Sequence, residues 1–200
     1  MKMKSIFCKG VSSFIIFTLL CGVIYTGAIT VIAQAFFPSK ANGSIIEVDG
    51  KKYGSELVAQ QYTDEKHMWG RIMNIDTKTF TDENGNKVLY STPSNLSPSS
   101  DKYEKLVKER VDKIKSSHEY NKSQAVPVDL VTCSGSGLDP EISLAAAKYQ
   151  VKRIADNNNM TESQVNDIIN KCTNKPFLGV LGETTVNVLK VNLMIDGILS

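Results

Sequence analysis

Chemistry needs a nucleophile, an acid–base pair, a metal cluster or a phosphate cradle, and this chain of 200 residues offers few side chains for any of them. It has only two histidines, His67 and His118, in unrelated sequence contexts. A lone histidine is usually a surface or satisfied structural residue, so neither is expected to act as base or metal ligand. Ser134 and Ser136 stand beside glycines, as a nucleophile would, yet the G-x-S-x-G turn is absent. Asp129 and Asp139 are neighbours only along the chain; a strand edge and a helix cap account for them without a reaction. Cys8 and Cys21 lie in or beside an apolar N-terminal stretch, while Cys133 and Cys172 lie beyond it. The latter two could close a disulfide in an oxidising space. Neither has metal-ligand spacing to another cysteine or histidine, and two unpaired thiols are the favoured reading.

The remaining candidate is the run Ser134-Gly135-Ser136-Gly137. Val126–Val131 before it is rich in β-branched residues and reads as a short strand. The glycines then permit backbone angles that other residues avoid. Asp139 is a good N-cap and Pro140 suits the first helical position, with Ile142, Ala145, Ala146 and Tyr149 following at helical spacing. A glycine-rich loop feeding a helix N-terminus is a potential phosphate site. Against it, no G-x-x-x-x-G-K-[ST] sequence occurs, and Asp139 and Glu141 would repel phosphate from that helix start.

The elements that must position these residues form one α+β domain. Ser44–Val48, Asp49-Gly50 and Lys51–Ser55 predict a hairpin with a type I′ turn. Asn84-Gly85 predicts a second, pairing Lys78–Thr81 with Lys87–Ser91. Asp101 with Glu104 predicts a capping box opening a helix, whose stripe is Tyr103, Leu106, Val107, Val111 and Ile114. Glu104–Lys108 and Glu109–Lys113 are expected four-residue pairs on its wet side. Thr161 with Gln164 opens another helix, with Met160 stapled to Val165 and a core face of Val165, Ile168, Ile169 and Cys172. Thr184–Asp196 is ambiguous and leans helical, because Val186, Leu189 and Leu193 share a face.

In front of this domain lies an apolar segment. No charge occurs between Lys9 and Lys40, and residues 14–37 are almost wholly apolar. As a helix it spans roughly 36 Å, enough for a hydrocarbon core of about 30 Å. Residues 1–13 are then a basic cytoplasmic N-terminus carrying Lys2, Lys4 and Lys9, 14–37 a transmembrane helix, and 38–200 a single mixed extracellular domain. Ala33-Gln34-Ala35 could instead be a cleavage site, but the apolar run is longer than the roughly 7–15 residues of a signal peptide, favouring an uncleaved anchor. Thr18, Gly22, Thr26 and Thr30 fall on one ridge of the helix, a face that lets another helix dock closely. Without its three N-terminal lysines the chain keeps 20 basic against 21 acidic residues. That near balance gives no electrostatic footprint for nucleic acid. Tripeptides of the N-x-S/T type occur at Asn42, Asn95, Asn121 and Asn159 and would matter in a eukaryotic secreted protein.

Val126–Gln150, VPVDLVTCSGSGLDPEISLAAAKYQ, resembles the C chain of the bacterial potassium-transporting P-type ATPase, the KdpC family, which typically reads VPxDLVTxSGSGLDPHIS. Glu141 stands where the family usually has histidine and Cys133 where it has alanine. Ala41–Ser44, Gly54–Gln61, Trp69-Gly70-Arg71, Ser94–Ser100 and Leu181–Leu193 extend the resemblance, in order, to the C-terminus. Departures are Ile72 for proline, Thr92-Pro93 for Gly-Gly, and Thr184-Thr185 for Pro-Arg. The resemblance implies a non-catalytic accessory subunit that stabilises assembly of a channel-like potassium-translocating subunit and a P-type ATP-hydrolysing subunit. It also implies a catalytic chaperone that raises ATP affinity, with Ser134, Gly135, Ser136 and Gly137, similar to the signature loop of ABC transporters, as the contact. Membrane lipid is the other expected partner; no metal is expected on this chain. From the residues alone a membrane-anchored extracellular hydrolase or ligand-binding module stays open.

Overall fold

A computed structural model describes residues 2–121 and 123–200; Met1, in the basic N-terminus, and Lys122, inside the Asn121 tripeptide, lie outside the described residues. The chain divides into a first unit ending at Ile45 and a second, Ile46–Ser200. The first is essentially one long helix. Its parts are α1 (Lys2–Phe17), a π-helical stretch Thr18–Tyr25, and α2 (Thr26–Phe36), followed by the short α3 (Pro38–Ala41). Met3–Phe36, 34 residues, is long and apolar enough to cross a membrane. It ends where Phe37 leaves helical angles and Pro38, unable to donate, begins α3.

The second unit is α+β. The first hairpin, β1 (Ile45–Val48) and β2 (Lys51–Ser55), forms as expected; Asp49 and Gly50 both take positive φ, as a type I′ turn requires. The second, β3 (Ile75–Thr81) and β4 (Lys87–Ser91), is antiparallel with Thr81 opposite Lys87, and starts earlier than the sequence suggests. Helix α4 (Asp101–Ser117) buries Ile114 and half-buries the rest of the expected stripe. Its N-cap is Ser100, whose hydroxyl accepts from Tyr103 N, rather than Asp101. Glu104–Lys108 and Glu109–Lys113 do not come within ion-pair distance among the described residues; Lys113 lies over the Trp69 ring instead.

The expected strand Val126–Val131 is not one. Pro127 enters a 3-10 turn at Val128–Leu130, closed by Leu130 N donating to Pro127 O. Nor does a helix start at Pro140. Glu141–Ser143 forms β5, paired with β7 (Thr185–Asn187), which also pairs with β6 (Thr173–Asn174) in a three-stranded sheet. Ile142 opposite Val186 buries both side chains, and that packing outweighs the local capping signal. Helix α5 (Leu144–Tyr149) therefore starts four residues later, capped by Ser143, whose hydroxyl accepts from Ala146 N. It is followed by α6 (Val151–Asn158) and α7 (Glu162–Lys171). Thr161 and Gln164 make the expected capping box, with Val165 and Ile169 buried. The ambiguous C-terminal segment splits: β7 takes Val186, then Asn187 caps α8 (Val188–Ile195), whose Leu189 and Leu193 are buried.

One segment without regular structure, Asp64–Arg71, runs through the core. Met68 and Trp69 are buried, so their peptide groups need partners. Asn192 of α8 accepts from Met68 N (2.7 Å) and donates to Met68 O (3.0 Å). Gln150, at the α5–α6 junction and fully buried, does the same for Trp69, at 2.8 and 2.9 Å. Two amide side chains thus replace a neighbouring strand.

Candidate functional site

The Ser134–Gly137 loop is built as a knot of self-satisfied hydrogen bonds. Ser134 Oγ accepts from Gly137 N at 2.9 Å, and Ser136 Oγ accepts from Leu138 N at 3.2 Å. The two hydroxyls are 3.1 Å apart. The loop is also tied outward: Asn74 N donates to Gly137 O, Ala59 N to Leu138 O, and Ser91 Oγ to Ser136 O. Only Gly137 needs its freedom. Its φ is +73°, and a Cβ there would sit 2.5 Å from Thr92 O, whereas Gly135 has open space around it. The N–H groups of Gly137 and Leu138, which a phosphate would use, are already engaged. A β-strand rather than a helix follows the loop.

Asp139 is not a helix cap. Its Oδ1 accepts from Glu141 N (3.0 Å), and its Oδ2 pairs with Arg71 Nη1 (3.2 Å). Asp129 likewise accepts from Ser143 N (2.9 Å). Glu141 holds Asn174 and Thr185 across the three-stranded sheet. These acids line one open cleft of about 210 Å³ with Glu183, Thr184 and Thr185, yet Asp129, Asp139 and Glu141 each have a structural partner.

The histidines are far from the serines in function. Buried His118 uses both ring nitrogens: one 2.8 Å from Ile114 O, the other accepting from Arg153 Nε at 3.0 Å. That fixes a neutral ring, and burial holds its pKa below the ordinary value, with the neighbouring Arg153 guanidinium adding to the effect. Arg153, also buried, spends its remaining donors on the carbonyls of Asp64, Glu65 and His67 and on Gln150. Desolvation brings the guanidinium down to about 10. Partly buried His67 bridges Asp64 and Asp196 at 2.9 and 3.0 Å. Burial would lower its pKa, but the two carboxylates outweigh that and hold it above the ordinary value. Neither ring is bonded to Ser134 or Ser136, so the described residues assemble no serine–histidine pair. Cys133 and Cys172 are free; burial pushes the Cys172 thiol up to about 11, and its Sγ lies 3.5 Å from Met194 Sδ. The described residues contain no cluster of three or more His, Cys, Asp or Glu able to hold a metal.

Two surfaces stand out instead. Thr18, Gly22, Thr26 and Thr30 are exposed on the long helix. Thr26 and Thr30 turn their hydroxyls back to Cys21 O and Thr26 O, leaving Gly22 as the low point of the ridge. The second surface was not singled out by sequence reasoning. Phe177, Leu178, Val180 and Leu181 form a tight loop, 63–79% exposed, closed by reciprocal backbone bonds between Phe177 and Leu181. Leu178 holds a positive φ of 54°, so the loop keeps its apolar tip presented in a strained conformation. The apolar run Phe-Leu-Gly-Val-Leu was the available signal.

Residues 7–197 match the family model described as K+-transporting ATPase, c chain. The chain is similar to the potassium-transporting ATPase KdpC subunit of Clostridium botulinum (strain Alaska E43 / Type E3), 68% identical over 196 residues that cover 98% of each chain. The corresponding subunit of Clostridium perfringens is 61% identical over 191 residues, 96% of each. That of Herpetosiphon aurantiacus is 41% identical over 198 residues, 99% of each. Matches of this length and identity, across the anchor helix, the serine–glycine loop and the C-terminal helix alike, mean that the chain belongs to the KdpC family, the c chains of K+-transporting ATPases.

Proposed function

We propose that this chain is an accessory subunit of an ATP-driven potassium uptake pump that performs no chemistry alone. It stabilises assembly of a channel-like potassium-translocating subunit with a P-type ATP-hydrolysing subunit. The observation that carries this reading is the loop Phe177–Leu181, whose four large apolar side chains stand in solvent. A contiguous, strongly exposed apolar tip of this kind marks a contact with another protein or a membrane. The long helix supplies the anchor, and its Gly22 ridge lets a partner helix approach. Lys2, Lys4 and Lys9 before the apolar run support an orientation with the N-terminus in the cytoplasm and the second unit outside.

The chaperone effect on ATP affinity then acts through subunit contact rather than through nucleotide at Ser134–Gly137, where Gly137 N already donates to Ser134 Oγ and the following Leu138 N to Ser136 Oγ. Detergent extraction of the tagged full chain followed by mass spectrometry tests the reading. Two large membrane partners should co-purify, and Leu178→Asp with Val180→Asp should reduce their recovery without altering the melting midpoint. Recovery of the chain alone, with hydrolytic activity of its own, would support the membrane-anchored hydrolase and refute the subunit.

A further inference from the structure

Beside Trp69 the second unit opens a cleft of about 60 Å³. Trp69, Ile114 and Leu130, all nearly buried, make its apolar floor. Arg71, Arg110 and Lys113 stand in its walls, and no acidic side chain lines it. The three cations are unevenly satisfied. Arg71 reaches Asp139 and, at 3.3 Å, Cys133 O, but its Nε is buried with no hydrogen-bond partner. Arg110 is pinned by Nη1 donating to Val131 O at 2.9 Å and has no carboxylate within 4 Å among the described residues. Lys113 lies 5.7 Å from the Trp69 ring centroid and likewise lacks an acidic partner. Burial lowers the Arg110 pKa, a sign that its charge is poorly solvated.

Size decides what fits. Small-molecule sites usually occupy about 300–1,000 Å³, so a nucleotide is excluded, whereas the head of one side chain is not. The floor accepts methylene groups and the walls accept a carboxylate. We infer that this cleft receives a glutamate or aspartate side chain presented by a partner subunit, its stem on Trp69 and its carboxylate between Arg110, Lys113 and Arg71. Small, well-packed pockets that desolvate a charged pair are where interfaces concentrate their affinity. This inference rests on the accessory-subunit reading and names the polar contact that accompanies the apolar loop.

The test is capture of the full chain by a tagged partner subunit after co-expression, at low salt and at about 0.5 M salt, where exposed charge pairs are screened. Arg110→Glu should reduce capture at least about tenfold, Lys113→Glu should reduce it less, and Arg110→Lys should recover part of it. The salt dependence of the wild type should flatten in both Glu variants, which a purely structural role would not cause. Lys148→Glu, an exposed site outside the cleft with the same charge change, should behave as wild type. If Arg110→Glu lowers the melting midpoint, Lys113→Glu and the cleft-filling Thr63→Trp, both at exposed positions, decide the matter. Wild-type capture with Glu variants equal to Lys148→Glu overturns the cleft and leaves the subunit reading standing. Absence of wild-type capture at low salt overturns both. Variants that change only the chain's own oligomeric state assign the cleft to a second copy and overturn the partner.

Discussion

Replacing Gln150 with leucine tests whether the Asp64–Arg71 segment is held by side-chain amides. The two residues have similar volume, so packing against Ala146 and Trp69 is nearly kept while the polar head is lost. Three groups then lose partners: Trp69 N, Trp69 O and one Arg153 N–H. Ala146 O also loses a donor, at 3.2 Å, though as a helical carbonyl it keeps its role in the ladder. A buried group left unsatisfied costs about 1–3 kcal/mol, and bonds to charged groups lie toward the upper end. Partial relaxation brings the sum to about 3–5 kcal/mol, a large share of the roughly 5–15 kcal/mol of a whole domain. For a unit of this size that is a fall of roughly 6–20 °C in melting midpoint. Asn192→Leu strips two buried backbone groups, Met68 N and O, rather than three partners, so it should cost less, about 2–4 kcal/mol. Trp69 is the chain's single tryptophan, so urea unfolding of the full chain in detergent, followed by fluorescence, reports directly on the segment. A cost for Gln150→Leu below about 1 kcal/mol, or equal to that of Asn192→Leu, would mean that packing rather than the amides holds the segment.

The two glycines of the serine loop should separate. Gly137→Val should cost several kcal/mol by denaturation, because of its positive φ and the backbone oxygens around it, whereas Gly135→Val should cost about 1 kcal/mol or less. ATP should leave the melting midpoint of the full chain unchanged; a saturable rise abolished by Gly137→Val would give the loop back its nucleotide. His67 has a raised folded pKa, so its contribution is complete below about pH 6.5 and is lost as pH rises through the folded value; the depressed Asp64 partner loses its part as pH falls below about 3.9. His67→Ala should therefore cost most between about pH 4 and 6.5, while buried His118, with a lowered pKa, destabilises the wild type as pH falls below about 6.5, so His118→Gln should flatten that limb. An impermeant thiol reagent applied to intact cells should reach Cys133 and leave Cys8 unlabelled; the reverse would invert the topology.

What the sequence made legible were the features whose cause is local. Asp49-Gly50 dictates its turn because both residues tolerate positive φ, and Thr161 with Gln164 closes its box within four residues. The same locality misled at Asp139-Pro140. Every signal there favours a helix start, but Ile142 is claimed by Val186, forty-four positions away, and the strand wins. A β-segment of three residues leaves too short an alternation to detect, so β5 and β7 could not be read from periodicity.

The serine–glycine loop shows why a motif and its chemistry come apart. The two hydroxyls and two glycines are those a phosphate cradle would use, and they are what drew the sequence reading to the loop. Whether donors in such a loop face a ligand or their own neighbours depends on residues the motif does not contain: Asn74, Ser91 and Ala59 draw it into the fold from three separate segments. With those ties made, Ser134 and Ser136 cap the turn, and Gly137 exists because Thr92 O leaves no room for a side chain. The surfaces left free to act are then the apolar tip at Phe177–Leu181, the Gly22 ridge and the cationic cleft beside Trp69. None of them needs a reacting atom. Each offers shape, apolar area or charge to another molecule, which is what the proposed accessory role needs.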